Sequence, residues 1–160
     1  MAGVFAKLNL KGQAEILVLN APESFEPEIA TLTGVSVRRR MPKSGPVEFA
    51  LVFAVEQADV DSAAAALARL TQGDAIVWFA YPKGTSRRYR CSFNRDTGWR
   101  VLGENGFEPV RQVAIDEDWS ALRFRRAEFI RSMTRSSERA LSKLGRRKAA
   151  EPATGRRAKR

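Results

Sequence analysis

The sequence predicts an α/β domain, a single three-layer Rossmann-like sandwich around a mixed, mostly parallel sheet, followed by a disordered basic tail. Residues 47–55 and 75–81 are almost wholly apolar, which is typical of parallel strands buried on both faces, and a helical pattern separates them. The last two predicted strands flank the short acidic stretch 116–118, which is the spacing of an antiparallel hairpin. We therefore expect an α/β domain over residues 1–131 and a largely disordered tail over residues 132–160.

The first half of the chain predicts one strand, one helix and two further strands. Residues 15–20 form a short apolar run that stops at Asn-Ala-Pro, as a buried strand does. Ser24 is a candidate N-cap for a short helix that ends before Gly34. A strand over residues 35–37 then leads into three arginines, and residues 47–55 form a central strand.

The second half continues the alternation. Its predicted elements are a helix over 59–70, a strand over 75–81, a helix capped by Asn94 or Asp96 that runs through Leu102, and strands over 110–115 and 119–126. In the first of these helices Val60, Ala63 and Leu67 lie on one apolar stripe. Asp59 stands in its first turn, where the helix dipole favours an acid. Gly106 fits the left-handed position that ends the second helix.

The composition removes several classes of catalytic site. The chain has no histidine and one cysteine, Cys91, so it cannot build a histidine-dependent nucleophile, a zinc site or an iron–sulfur site by itself. No G-x-G-x-x-G follows the first strand and no G-x-S-x-G is present, which disfavours a dinucleotide site and a hydrolase elbow. We expect no cofactor and no metal. The lone cysteine, the lack of a leader-like start and the lack of a long apolar run predict a cytoplasmic protein.

The positive charge is concentrated at the carboxyl end. Of the net charge of +10, residues 131–160 hold 11 Lys/Arg against 2 Asp/Glu, whereas residues 1–130 hold 17 against 16. Such a tail attracts nucleic acid or another polyanion weakly and without sequence preference. The candidate contacts are Arg146, Arg147, Lys148, Arg156, Arg157, Lys159 and Arg160. The alternative is a tail that only keeps the protein soluble.

The loop after the strand at 75–81 is the candidate site of the domain. Because ligands of open α/β sheets bind at the carboxyl ends of the strands, the polar residues that follow Tyr81 emerge at the favoured edge. Backbone amides there can form an anion-binding nest, and the cations can neutralise a phosphate or carboxylate. The candidate residues are Lys83, Gly84, Thr85, Ser86, Arg87 and Arg88. The alternative is a solvated basic loop, since the order of residues is not that of a P-loop.

Several short stretches, in this order, resemble a family of uncharacterised bacterial α/β proteins classed as a domain of unknown function. These stretches are a strand reading EILVLNAPESF, an acid-capped alanine-rich helix, an apolar strand that ends in Pro-Lys, and a late strand that begins WSALR. The resemblance covers about residues 7–135 and excludes the tail. It implies a compact, single-domain, cytoplasmic bacterial protein with a Rossmann-like sheet, and it implies no reaction, cofactor or catalytic residue.

The remaining polar and aromatic features favour structural roles. The acids at 116–118 can hold Mg²⁺, but adjacent carboxylates between two strands more often form an exposed turn. We expect Trp78, Trp99 and Trp119 to pack in the core rather than to stack on a ligand. Cys91 has no partner for redox or nucleophilic chemistry.

Two functions follow from these patterns. The first is a non-enzymatic binding or association protein, whose basic tail contacts a polyanion. The alternative is an enzyme or sensor of a small phosphate- or carboxylate-bearing ligand, which binds at the loop after Tyr81. Removal of the tail distinguishes them, because only the first depends on it.

Overall fold

The computed structural model describes residues 3–93 and 98–130, whose strands form a six-stranded sheet with helices on both faces. The strands are β1 (Glu15–Leu19), β2 (Ser36–Arg38), β3 (Phe49–Phe53), β4 (Ile76–Pro82), β5 (Phe107–Ala114) and β6 (Trp119–Arg126). The helices are α1 (Val4–Lys7), α2 (Glu26–Ala30), α3 (Gln57–Leu70) and α4 (Arg100–Glu104). Short 3₁₀ turns cover Glu23–Phe25 and Ala127–Phe129. No helix in the described ranges is long and apolar enough to cross a membrane.

The sheet has the strand order β2-β1-β3-β4-β6-β5. Strands β1 to β4 are parallel, whereas β6 is antiparallel to both β4 and β5. The predicted fold class, a mostly parallel sheet that ends in an antiparallel hairpin, is therefore confirmed. In this order the returning strand β6, and not β5, lies beside β4. As a result Tyr81 lies opposite Ser120 and Pro82 lies opposite Trp119.

Helices α3 and α4 cover one face of the sheet. The apolar stripe of α3, which includes Val60, Ala64 and Leu67, is wholly buried in the same cluster as Leu102 of α4. The first turn of α3 is closed by a capping box, in which the Glu56 amide donates to the Asp59 carboxylate over 3.1 Å. The acid predicted at the start of this helix therefore satisfies a backbone donor that the helix itself leaves unpaired.

Helices α1 and α2 cover the opposite face, and α1 was not predicted from the sequence. Phe5 from α1, Leu8 just after it and Ile29 from α2 are buried against the outer side of β3 and β4. The indole Nε1 of Trp78 donates to the Leu8 carbonyl oxygen over 2.8 Å. This bond fixes the amino-terminal segment on the sheet, because both groups are inaccessible to solvent and need each other as partners.

Helix boundaries depart from the predictions at two places. Ser24 is not an N-cap, because it lies inside the 3₁₀ turn, and α2 begins after Phe25 without a side-chain cap. Helix α4 begins at Arg100, and its N-cap Trp99 makes no side-chain capping bond. The predicted caps Asn94 and Asp96 lie outside the described residues. Gly106 has the predicted left-handed conformation, with φ of 88°.

The predicted basic tail, 132–160, lies outside the described residues. The same holds for its candidate contacts, which are Arg146, Arg147, Lys148, Arg156, Arg157, Lys159 and Arg160. Polyanion binding by the tail remains a prediction.

Candidate functional site

The topology places two possible ligand sites at the carboxyl edge of the sheet. Because β2 lies on one side of β1 and β3 on the other, the strand order reverses between β1 and β3. Open α/β sheets bind ligands most often in the crevice outside such a switch point. A second position lies after β4, where the parallel part of the sheet meets the antiparallel hairpin.

Protein side chains fill the switch-point crevice. Phe25 and Phe53 pack with ring centroids 4.9 Å apart, and each is almost wholly buried. The Asn20 amide donates to the Phe53 carbonyl oxygen over 3.3 Å, which joins the loop after β1 to the end of β3. The loop after β1 contains no glycine up to Phe25, so its backbone offers no open cradle for a phosphate. A nucleotide cannot enter this crevice without displacing the two rings.

An open groove follows β4 instead. Its volume is about 860 Å³, within the range of roughly 300–1,000 Å³ that small-molecule sites occupy. It is bounded by the end of β4, by the loop after it and by the facing strands β5 and β6. The lining residues are Tyr81, Pro82, Lys83, Gly84, Thr85, Ser86, Tyr89, Arg90, Cys91, Ser92, Phe93, Gln112 and Ser120.

Hydrogen bonds hold the first part of this loop against the hairpin. The Lys83 amide donates to the Asp118 carbonyl oxygen over 2.8 Å, and the Ser86 hydroxyl donates to the Asp118 carboxylate over 2.9 Å. The Ser86 hydroxyl also accepts the amides of Arg88 and Tyr89, each at 3.2 Å. Ser86 is therefore committed to shaping the loop.

The far end of the loop returns to the start of α3. The Ser92 amide donates to the Val55 carbonyl oxygen over 3.1 Å, and its hydroxyl accepts the Gln57 amide over 3.1 Å. These bonds fix both ends of residues 83–92 on regular structure. A site on such a loop is positioned by the sheet and by α3, although the loop itself has no helix or strand.

The floor of the groove carries neutral polar groups. The Gln112 side-chain amide donates to the Tyr81 hydroxyl over 2.9 Å. Ser120 is only 6% exposed, and its hydroxyl forms no hydrogen bond with the described part of the chain. Because Ser120 lines the groove, its hydroxyl can donate to or accept from a ligand atom there.

The rim of the groove is cationic. Lys83 is half-buried and Arg90 is exposed, and neither forms an ion pair within residues 3–93 and 98–130. The neighbouring acid Asp118 accepts the Ser86 hydroxyl and so belongs to the loop's internal bonding. Burial raises the pKa of the Cys91 thiol, against a smaller opposing effect of its hydrogen bond with the Phe93 backbone. A neutral thiol is a poor nucleophile, so positive charge rather than nucleophilic chemistry characterises this site.

The predicted candidate residues separate into two groups. Lys83, Gly84, Thr85 and Ser86 line the groove, whereas Arg87 and Arg88 are exposed outside it. Of the four amides proposed as an anion nest, those of Lys83 and Ser86 already donate to protein carbonyls. The amides of Gly84 and Thr85 form no such bond with the described residues.

Sequence reasoning missed the contribution of the hairpin. Gln112 and Ser120 come from strands that were expected, but their place beside Tyr81 depends on β6 inserting next to β4. No motif marks either residue. Arg90 was not among the candidate residues, although the run Arg87-Arg88-Tyr89-Arg90 contained the signal.

The other candidate groups have the predicted structural roles. The Asp116 carboxylate accepts the amides of Asp118 and Trp119, at 2.8 and 2.9 Å, so the acidic stretch forms an Asx-type turn. Trp78, Trp99 and Trp119 are all buried core residues. Within the described residues no group of His, Cys, Asp and Glu side chains is arranged to hold a metal ion.

The fold and the groove define an open α/β protein with a ligand-sized site at the carboxyl end of its sheet. Two solved structures share this fold. A SAM-dependent methyltransferase from Aquifex aeolicus superposes with a TM-score of 0.55 at 12% identity, over 77% of this chain and 87% of the other. The N-methyltransferase NodS from Bradyrhizobium japonicum WM9 gives 0.51 at 14% identity, over 77% of this chain and 92% of the other. No family model matches the sequence, and no curated protein matches it.

These similarities correct the first of the two functions inferred from sequence. We expected a non-enzymatic association protein that depends on its tail, whereas both of the solved structures described above are methyltransferases. That prediction is wrong, and the alternative agrees better with the fold. The resemblance to a family of unknown function remains a prediction.

Proposed function

We propose that the protein is an enzyme or sensor of a small phosphate- or carboxylate-bearing ligand, which binds in the groove after β4. The observation that carries this proposal is the groove itself, with the Ser120 hydroxyl on its floor and, on its rim, cations that form no ion pair within the described residues. The similarity to two methyltransferases favours an enzyme over a sensor.

The groove has a cationic rim and a neutral polar floor. It therefore suits a ligand with an anionic group at one end and a neutral polar group at the other. An anionic group suits Lys83 and Arg90, because a charge-assisted hydrogen bond is roughly twice as strong as a neutral one. The floor offers the Ser120 hydroxyl and the bonded pair Tyr81–Gln112, which suit a hydroxyl or carbonyl group. Phe93 adds a largely buried aromatic surface between them. A phosphorylated or carboxylated metabolite with an apolar or ring-containing body matches all three parts.

The names of the two similar structures raise methyl transfer as a second candidate. The crevice between β1 and β3 does not fit a nucleoside cofactor such as S-adenosylmethionine, because Phe25 and Phe53 occupy it and the loop after β1 lacks glycine. We therefore derive no step of methyl transfer from this crevice. The groove after β4 is the other position for such a ligand that the topology places at this edge of the sheet.

A thermal-shift panel of phosphate- and carboxylate-bearing metabolites tests the proposal. A ligand that binds only the native state raises the melting temperature, and we expect at least one member of the panel to do so. Replacing Lys83 by alanine removes a charge-assisted bond, which typically forfeits about 1.5–3 kcal/mol, or a ten- to hundredfold loss of affinity. At a ligand concentration about ten times the wild-type dissociation constant, the shift should therefore fall to roughly a third or less.

Lys43→Ala is the matched control for charge. Lys43 is exposed in the connection before β3 and forms no ion pair within the described ranges. We expect the control to keep the full shift. Equal loss in both variants would show that only general charge had been measured, and a panel without any active member would exclude the groove as an anion site.

S-adenosylmethionine belongs to the same panel as the test of the second candidate. A shift that Lys83→Ala removes would place this ligand in the groove. A shift that survives the substitution would place it elsewhere, and would mean that Phe25 and Phe53 move aside.

A further inference from the structure

Two arginines face each other across the carboxyl-terminal hairpin, on the side of the sheet away from α3. Arg111 of β5 and Arg123 of β6 are direct cross-strand partners. Directly opposed like charges on antiparallel strands are destabilising. The facing position on β4 is Trp78, which is buried in the core, so Arg123 projects over an apolar surface.

The surrounding residues leave most of this charge uncompensated. The carboxylate of Asp74 accepts Arg125 through two bonds, of 2.8 and 2.7 Å, and so serves a different arginine. Arg111 donates to the side-chain oxygen of Asn9 over 3.2 Å, which is a neutral acceptor. Lys7 adds further positive charge beside the same strand, where its ammonium donates to the Ala114 carbonyl oxygen over 3.2 Å.

Arg123 is the least satisfied member of the group. Its Nε atom is closed off from solvent and has no hydrogen-bond partner among the residues that the structure describes. Burial lowers the pKa of its guanidinium, Asp74 opposes that effect, and the charges of Arg125 and Arg111 lower the pKa further. A buried Nε donor without an acceptor costs stability, and an apolar side chain at this position would avoid that cost.

We propose that Arg111 and Arg123 form a second anion site, which binds a phosphate or sulfate dianion. Two opposed guanidiniums match the charge of such a dianion, and the planar guanidinium presents paired donors to its oxygens. Free inorganic phosphate and a phosphate monoester share this chemistry. The site is separate from the groove, because Arg111 and Arg123 alternate with the groove residues Gln112 and Ser120 along their strands and therefore lie on the opposite face of the sheet.

The test uses the Lys83→Ala protein, so that the groove does not contribute to the signal. Inorganic phosphate should raise its melting temperature beyond the effect of sodium chloride at the same ionic strength. Adding Arg123→Met should abolish this rise and leave the melting temperature without phosphate unchanged or higher, because an uncompensated charge is replaced by an apolar side chain of similar length. A merely structural arginine would show the opposite, a lower melting temperature without phosphate.

Arg111→Gln provides a second variant on an exposed position. It should weaken phosphate binding at least tenfold without affecting folding, whereas Arg69→Gln, on the exposed side of α3, should leave binding unchanged. O-phosphoserine in place of inorganic phosphate distinguishes a monoester site from a site for the free ion. A rise in melting temperature with both compounds assigns the site to monoesters. A rise with inorganic phosphate alone assigns it to the free ion. An undiminished response in Arg123→Met would overturn the proposal.

Discussion

Replacing Trp78 by alanine should lower the free energy of unfolding by about 3–5 kcal/mol, the usual cost of removing a buried tryptophan. Trp78 has no solvent exposure, and its indole lies in the cluster that joins α1 and α2 to the sheet. The substitution also removes the only side-chain bond of the described residues to the buried Leu8 carbonyl oxygen. Urea unfolding followed by far-ultraviolet circular dichroism measures the change.

A pair of conservative variants separates the hydrogen bond from the packing. Trp78→Phe leaves the Leu8 carbonyl oxygen without its partner, which typically costs about 1–3 kcal/mol beyond the lost contacts. Trp119→Phe removes an indole Nε1 that is buried without an acceptor, so it carries no such penalty. We expect Trp78→Phe to be the more destabilising of the two. Equal costs would contradict a stabilising role for the bond to Leu8.

Phe53→Ala should have an effect of similar size, about 3–5 kcal/mol, because it leaves a cavity at the centre of an aromatic cluster. The Phe53 ring lies 4.9 Å from that of Phe25 and 5.1 Å from that of Trp119. Phe25 and Phe53 are the rings at the switch-point crevice, so the measurement also reports how firmly these two rings are packed there. Phe129→Ala is the control, since that ring is 38% exposed and surface substitutions usually change stability by less than about 0.5 kcal/mol.

The outcome for Phe53 bears on the second candidate function. A large loss of stability means that the aromatic cluster is part of the core and that the crevice stays closed in the native protein. A loss below about 1 kcal/mol, together with newly gained binding of S-adenosylmethionine, would instead identify a site covered by movable rings.

The strands of the sheet could be predicted from the sequence because the two central strands have a clear apolar pattern. The almost unbroken apolar character of residues 47–55 and 75–81 indicates burial on both faces, and the stripe of α3 has a clear helical period. The short helices were harder to place. Ser24 has the chemistry of an N-cap, yet Pro27 in the first turn of α2 and the burial of Phe25 place the helix start one residue later.

Of the candidate site, only the loop after β4 could be predicted from the sequence. The loop residues from Lys83 to Ser86 follow a strand directly, so their place at the edge of the sheet could be inferred from chain order. Ser120 and Gln112 lie far along the chain, and only the insertion of β6 beside β4 brings them to Tyr81. The packing of aromatic rings at the crevice could not be predicted either. The contacts between Phe25, Phe53 and Trp119 join three separate elements of the chain.

The most direct measurement of ligand binding in the groove is an amide-resolved nuclear magnetic resonance titration with the metabolite that gives the largest thermal shift. We expect the amide signals of Gly84, Thr85 and Ser120 to move with one common dissociation constant, because these residues line the same groove and the first two amides form no bond within the described chain. The signals of Asn20 and Phe25 should stay in place. Shifts confined to Asn20 and Phe25, with Gly84, Thr85 and Ser120 unmoved, would contradict the assignment of the groove as the ligand site.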